Sequence, residues 1–175
     1  DGRPSALAFS PDGSILAVGN SDGRTQLFDA PAGVELGPAL AASSAEINDI
    51  AFSPDGRRMV TGSTDRTGAI WRLDGGRVIA DTMSSHEAAV TEMAYTSDGR
   101  YLASAGTDGV VAIRDLDNGS TRTIETGGQV LTVAIDPTDT WLAAAGTTGA
   151  VALYDVRTGD PGPRLDLGEA WVYQV

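Results

Sequence analysis

The sequence predicts an all-β chain assembled from four copies of one small antiparallel sheet, and three observations carry the prediction. Ala8-Phe9-Ser10-Pro11-Asp12-Gly13 returns as Ala51-Phe52-Ser53-Pro54-Asp55-Gly56, as Ala94-Tyr95-Thr96-Ser97-Asp98-Gly99 and, more loosely, as Ala134-Ile135-Asp136-Pro137-Thr138-Asp139. An apolar residue precedes each copy (Leu7, Ile50, Met93, Val133), and Val175 stands in the same phase, so successive spacings are 43, 43, 40 and 42 residues. Gly and Pro punctuate the chain every few residues, and no stretch holds a helical apolar period for three turns. A repeat of this length is a supersecondary unit that buries its faces only by stacking on its siblings.

The elements follow in order. In the first unit Ile15-Leu16-Ala17-Val18 reads as the second strand and Gln26-Leu27-Phe28 as the third. The second unit is the clearest. Ile47 to Ser53 is an apolar-rich run ending at Pro54-Asp55-Gly56, a tight turn pre-set by Pro and Gly. Arg58-Met59-Val60-Thr61-Gly62, Gly68-Ala69-Ile70-Trp71-Arg72 and Val78-Ile79-Ala80 follow as strands, separated by the turns Ser63-Thr64-Asp65-Arg66 and Asp74-Gly75-Gly76. Tyr101-Leu102-Ala103-Ser104 with Val111-Ala112-Ile113, and Trp141-Leu142-Ala143-Ala144 with Val151-Ala152-Leu153-Tyr154, repeat the plan, and Glu169 to Val175 reads as the first strand of a fifth unit. The expected units are about 1–42, 43–83, 84–126 and 127–168, with a fifth beginning over 169–175. Four short strands at roughly ten-residue spacing make an antiparallel meander. Such sheets stacked radially make a β-propeller, which leaves only short, protected edges.

The third strands close with Phe28-Asp29, Trp71-Arg72, Arg114-Asp115 and Tyr154-Asp155, and an Asp stands six residues ahead of the aromatic position at Asp22, Asp65 and Asp108, with Thr148 in the fourth unit. On these residues the chain resembles the WD-repeat β-propeller family over essentially its whole length. The resemblance implies that a His before the first strand, a Ser or Thr on the second, the turn Asp and the Trp brace each blade through hydrogen bonds. His86, Ser104 and Asp108 fit three places with Arg114 in the fourth; Thr61, Asp65 and Trp71 fit three with Ser43 where His belongs. No unit is complete, so packing is expected to hold the repeats more than a buried polar network does. Arg114, in an aromatic's place, must reach the surface or pair with an acid such as Asp108 or Asp115, with partner binding as the alternative.

Twenty-four acidic residues against twelve basic ones give a net charge of -12, which repels phosphate backbones and anionic lipid. Neither nucleic acid nor a membrane is an expected partner. All the basic residues are Arg, which removes a P-loop lysine and Schiff-base chemistry, and without Cys there is no disulfide, thiolate zinc site or thiol nucleophile. No apolar run approaches the roughly 20 residues of a membrane span, and no leader pattern is visible, so the expected location is the cytoplasm. His86 is the only histidine, and one His without Cys cannot supply a zinc set. Asp115-Leu116-Asp117-Asn118-Gly119 opens like a calcium loop but has no acid at its fifth position and Thr126 at its twelfth, as a plain turn would. No catalytic residue, metal or cofactor is expected.

The expected function is a non-enzymatic protein-interaction scaffold or sensor module. The resemblance implies docking on the face built by the loops before the first strand and between the second and third. Those loops carry Arg24, Glu46, Arg66, Glu87, Gln129 and Trp171, and an acidic surface favours a basic protein or peptide. Four units are too few for the usual seven- or eight-bladed ring, so a slice of a larger propeller, or a half-ring closed by another half or a second copy, is expected. The alternatives are a lactonase-like propeller hydrolase with charged residues at the central channel, and a self-assembling half-propeller.

Overall fold

A computed structural model describes residues 2–73, 79–83, 85–168 and 172, with only the backbone course given for 79–83. The turn at Asp74-Gly75-Gly76 and the strand expected at Glu169 to Val175, Trp171 included, lie outside the described residues apart from Val172. Seventeen strands and no helix are present among the described residues. The first sheet holds β1 (Pro4–Phe9), β2 (Ile15–Asn20), β3 (Arg24–Asp29), β4 (Val34–Glu35) and β5 (Leu40–Ala41). The second holds β6 (Ile47–Phe52), β7 (Arg58–Ser63), β8 (Gly68–Arg72) and β9 (Ile79–Met83). The third holds β10 (Val90–Tyr95), β11 (Tyr101–Gly106), β12 (Val110–Asp115) and β13 (Thr121–Glu125), and the fourth β14 (Val130–Ile135), β15 (Trp141–Gly146), β16 (Ala150–Asp155) and β17 (Pro161–Asp166).

Each sheet is an antiparallel meander in chain order, and one detail departs from expectation. The outer strand of the first sheet is split: β4 pairs with Phe28 and Asp29, β5 with Arg24 and Thr25. Between them Gly37 takes a φ of 80° and Pro38 has no N–H to donate, so the chain swings off the edge and Gln26 Nε2 donates to the Gly37 carbonyl instead. In the second sheet the outer strand spans Ile79–Met83, and Val78, where the expected run starts, lies outside the described residues.

The first strands lie side by side, β1 by β6, β6 by β10 and β10 by β14, and β2, β7 and β11 also approach the first strand of the next sheet. The sheets therefore fan out from a common axis as the blades of a propeller. Three apolar clusters fill the gaps between blades. Ala6, Ala17 and Leu27 of the first blade meet Ile47, Ile50, Met59 and Trp71 of the second. Val60 and Ile70 meet Val90, Met93 and Leu102, and Ala103 and Ile113 meet Val130, Val133, Leu142 and Tyr154. Small or branched residues thus back onto larger ones of the following blade. Leu7 sits in the phase of Ile50, Met93 and Val133, yet is 66% exposed where they are 5%, 4% and 3% exposed. Among the described residues the blade before each of those three supplies its cover, and none packs over Leu7 in the same way.

The recurring turn explains the loose fourth copy. Ser10 donates to Asp12 Oδ1 at 2.6 Å and accepts from Ile15 N–H at 2.9 Å; Ser53 with Asp55 and Arg58, and Thr96 with Asp98 and Tyr101, do the same. In the fourth unit Asp136 performs both roles, accepting from the Thr138 hydroxyl and from the N–H groups of Thr140 and Trp141. Those donors hold the Asp136 carboxyl at about 2, as the Ser10 hydroxyl and the Ser14 donors hold Asp12. Gly13, Gly56 and Gly99 close the other turns at φ of 72°, 68° and 69°, and Asp139 closes this one at 57°. Asp139 reaches the preceding blade, accepting from Ser97 N–H at 2.7 Å and from the Ser97 hydroxyl at 2.6 Å. The two departures from the repeat, Ser97 for Pro and Asp139 for Gly, are one contact.

Every first strand carries a β-bulge at its second residue, with register shifts at Pro4/Ala6, Ile47/Asp49, Val90/Glu92 and Val130/Thr132. In the first three blades the extra residue turns toward the next blade. Ser5 Oγ donates to the Ile47 carbonyl at 2.7 Å, Asn48 Nδ2 to Val90 at 2.7 Å and Thr91 Oγ1 to Val130 at 3.0 Å. The following acids accept from the next blade: Asp49 Oδ2 from Met93 N–H at 2.7 Å and Glu92 Oε2 from Val133 N–H at 2.9 Å. Burial, helped by the Glu92 charge and opposed by the Met93 N–H, pushes the Asp49 carboxyl up to about 6. An acid recurring at one phase of an apolar strand was the available signal for this pair, which sequence reasoning passed over.

Candidate partner-binding face

In the third blade the His86 ring bridges two elements. Its Nδ1 lies 3.2 Å from both Asp108 oxygens and its Nε2 2.8 Å from Ser104 Oγ. A carboxylate only accepts, so Nδ1 carries the proton and Nε2 accepts from the Ser104 hydroxyl. Asp108 also accepts from Glu87 N–H at 2.7 Å and Val110 N–H at 3.0 Å. Burial raises its pKa, but these donors and His86 outweigh it, and the carboxyl stays below its usual range. The arrangement ties the loop before the blade to the turn between its second and third strands.

The second blade divides the work differently. Trp71 Nε1 donates to Thr61 Oγ1 at 3.1 Å within the core, and Asp65 accepts from Ser44 N–H at 2.6 Å and from the Thr67 hydroxyl at 2.6 Å. Ser43 Oγ lies 3.5 Å from Thr67 Oγ1. In the first blade Asp22 accepts from Gly2 N–H at 3.1 Å and Arg24 N–H at 3.3 Å. Arg114 lies directly across from Leu102, as Trp71 lies across from Met59. Asp115 accepts from Arg100 at 3.0 Å and is held below its usual range by it, and Asp117 and Asn118 N–H groups close the turn on Asp115 Oδ1.

The same scaffold brings the loops to one end of the blades. Ser21 N–H donates to the Arg3 carbonyl, Thr64 to Glu46, Thr107 to Ala89 and Thr147 to Gln129, each at 2.8 to 3.0 Å. Each loop before a first strand is thereby zipped to the turn between the second and third strands of its own blade. Arg24, Glu46, Arg66, Glu87 and Gln129 are exposed at this end, Arg66 in its turn at a φ of 77°. Of the six residues expected on this face, five are at this end and Trp171 lies outside the described residues. No group of three or more His, Cys, Asp or Glu that could hold a metal occurs among the described residues, and no helix there is long and apolar enough to cross a membrane.

Radial four-stranded blades with this turn-to-loop wiring define a β-propeller protein. The family model described as "WD domain, G-beta repeat" matches residues 1–29 and 38–72, and that of the "Anaphase-promoting complex subunit 4 WD40 domain" matches 62–126. A chain of the solved structure titled "Crystal Structure of Mitotic Checkpoint Complex" is similar at 25% identity with a TM-score of 0.90, over 99% of this chain and 53% of that one. The chain thus spans about half the length of that relative. A comparison with curated proteins gives no match. The chain belongs to the WD-repeat family.

Proposed function

We propose that this chain is a non-catalytic protein-interaction platform that docks its partner on the loop end of the blades, through Arg24, Glu46, Arg66, Glu87 and Gln129. One observation carries the reading: the frame repeats from blade to blade, whereas the loop residues zipped to one end of it, Arg3, Glu46, Ala89 and Gln129, differ from unit to unit. The similar chain belongs to a structure titled as a multi-protein complex, which supports a protein partner. The excess of acid favours a basic segment. Asp49 and Glu92, the acids of the inner strands, each accept a backbone N–H of the next blade, which suits blade cohesion better than acid-base chemistry. The cytoplasm is the proposed location. A photo-crosslinking residue at Glu46 or Glu87 should trap discrete protein adducts in cells making the intact protein, and the same residue at Asp12 or Thr138 should not. Equal trapping at both ends, or trapping only at Asp12 and Thr138, would overturn the assignment.

A second reading rests on Leu7 and Phe9, which are 66% and 62% exposed. We propose that further blades, from the same protein or from a second copy, cover this face, with units of about 1–42, 43–83, 84–126 and 127–168 as the blades present. Sedimentation of the 18.0 kDa chain tests the second-copy form, which requires a dimer that Leu7→Glu with Phe9→Glu dissociates.

A further inference from the structure

A groove of about 160 Å³ opens between the second and third blades and is lined by Arg58, Arg72, Arg114, Ile70, Leu116 and Gly119. Arg58 and Arg72 are direct cross-strand partners on β7 and β8, so their side chains leave the same face of the blade. That face also carries Val60 and Ile70, which pack toward the third blade. Like charges directly opposite in a sheet destabilise it. This chain has acids to spare, and it pairs Arg100 with Asp115 and Asp117, and Arg164 with Asp166. No ion pair of Arg58 or Arg72 occurs among the described residues. Asp55, the acid whose charge reaches Arg58, has its Oδ1 engaged by the Ser53 hydroxyl and Arg57 N–H. The Tyr95 hydroxyl, buried without a hydrogen-bond partner, also lies within reach of the Arg58 charge. From the neighbouring blade Arg114 adds a third guanidinium where the repeat would set an aromatic ring.

We infer that this groove recognises an oxyanion on a peptide segment of a protein partner, a carboxylate or phosphoryl group seated between the Arg58 and Arg72 guanidiniums beside an apolar residue resting on Ile70 and Leu116. Guanidinium forks match planar or tetrahedral oxyanions with paired hydrogen bonds. The net charge of -12 disfavours an extended polyanion such as nucleic acid, and the groove has room for one anionic group and a small neighbour. The site is distinct from the loop end and stands whether or not the loop end docks anything, because its residues belong to other turns and strands.

Three dye-labelled peptides test it by fluorescence anisotropy on the whole chain: leucines flanking phosphoserine, the same flanking two glutamates, and the same flanking serine. Saturable binding of one or both anionic peptides is expected, with the serine peptide weaker by about tenfold or more, the scale of a charge-assisted hydrogen bond. Preference between the two identifies the phosphoryl or the carboxylate source. Arg72→Glu should lower affinity at least as much while raising the melting temperature, because it turns a repelling cross-strand pair into an attracting one. Arg157→Glu, in an exposed turn of the fourth blade away from the groove, should leave affinity unchanged. The inference falls if neither anionic peptide saturates, or if Arg72→Glu binds as well as the parent chain.

Discussion

Replacing Asp49 with Asn probes the contact between the second and third blades. The carboxyl is raised from an ordinary value near 3.8 to about 6 because it is buried between blades beside Glu92, which outweighs the Met93 and Ile50 N–H groups that favour its charge. A raised folded-state pKa means that the protonated form stabilises the fold, so the contribution is full below pH 4 and is lost as pH rises through 6. A rise of that size corresponds to about 3 kcal/mol between the protonated and the charged fold. Asn keeps an oxygen to accept from Met93 and has no charge to bury. Asp49→Asn should therefore match the parent chain near pH 4 and exceed it by up to about 3 kcal/mol at pH 8. Urea denaturation of both chains between pH 4 and pH 8 measures this as a difference. The subtraction removes the turn carboxylates such as Asp12, Asp55 and Asp98, which are lowered and so stabilise with the opposite sign. A difference that stays flat with pH would refute the reasoning.

Three further substitutions test the packing. Thr61→Val leaves the Trp71 indole N–H buried without its acceptor and should cost about 1 to 3 kcal/mol by denaturant unfolding, with Thr61→Ser recovering most of it. In Gly62→Ala the new Cβ would stand 2.7 Å from Val90 Cγ1 and 3.2 Å from Met93 Sδ, so about 1 to 3 kcal/mol of overpacking is expected in the melting curve. Ser97→Pro with Asp139→Gly restores the turn chemistry of the other units. A double-mutant cycle should find the pair less damaging than the sum of the singles by about 1 kcal/mol, and strict additivity would separate the two positions.

What was legible in the sequence is what is local. Ser-Pro-Asp-Gly turns fold through contacts a few residues apart, so the strand plan and its phase could be read from Ser10, Ser53 and Thr96 with their acids. The fourth turn looked degenerate because Asp136 replaces two side chains at once and Asp139 spends its carboxylate on another blade. The bulged residues were not legible, since Ser5, Asn48 and Thr91 share no residue type, only a register slip that the ladder reveals. The two halves of the brace, His86 with Ser104 and Asp108 in one blade and Thr61 with Trp71 in the next, stand apart because Arg114 and Ser43 break each set at a different place. Arg58 and Arg72 are fourteen residues apart and meet only through strand register. Arg114 was visible as an anomaly, but its neighbours were not.

Nuclear Overhauser contacts between units test most directly whether the repeats are sheets stacked about one axis. The account predicts cross-peaks from the Gly19 α-protons to the Ile47 γ2 methyl and from the Gly62 α-protons to a Val90 methyl, because a Cβ at either glycine would lie within 3 Å of those carbons. Cross-peaks confined to single units, with Ile47 and Val90 touching only their own sheets, would contradict it.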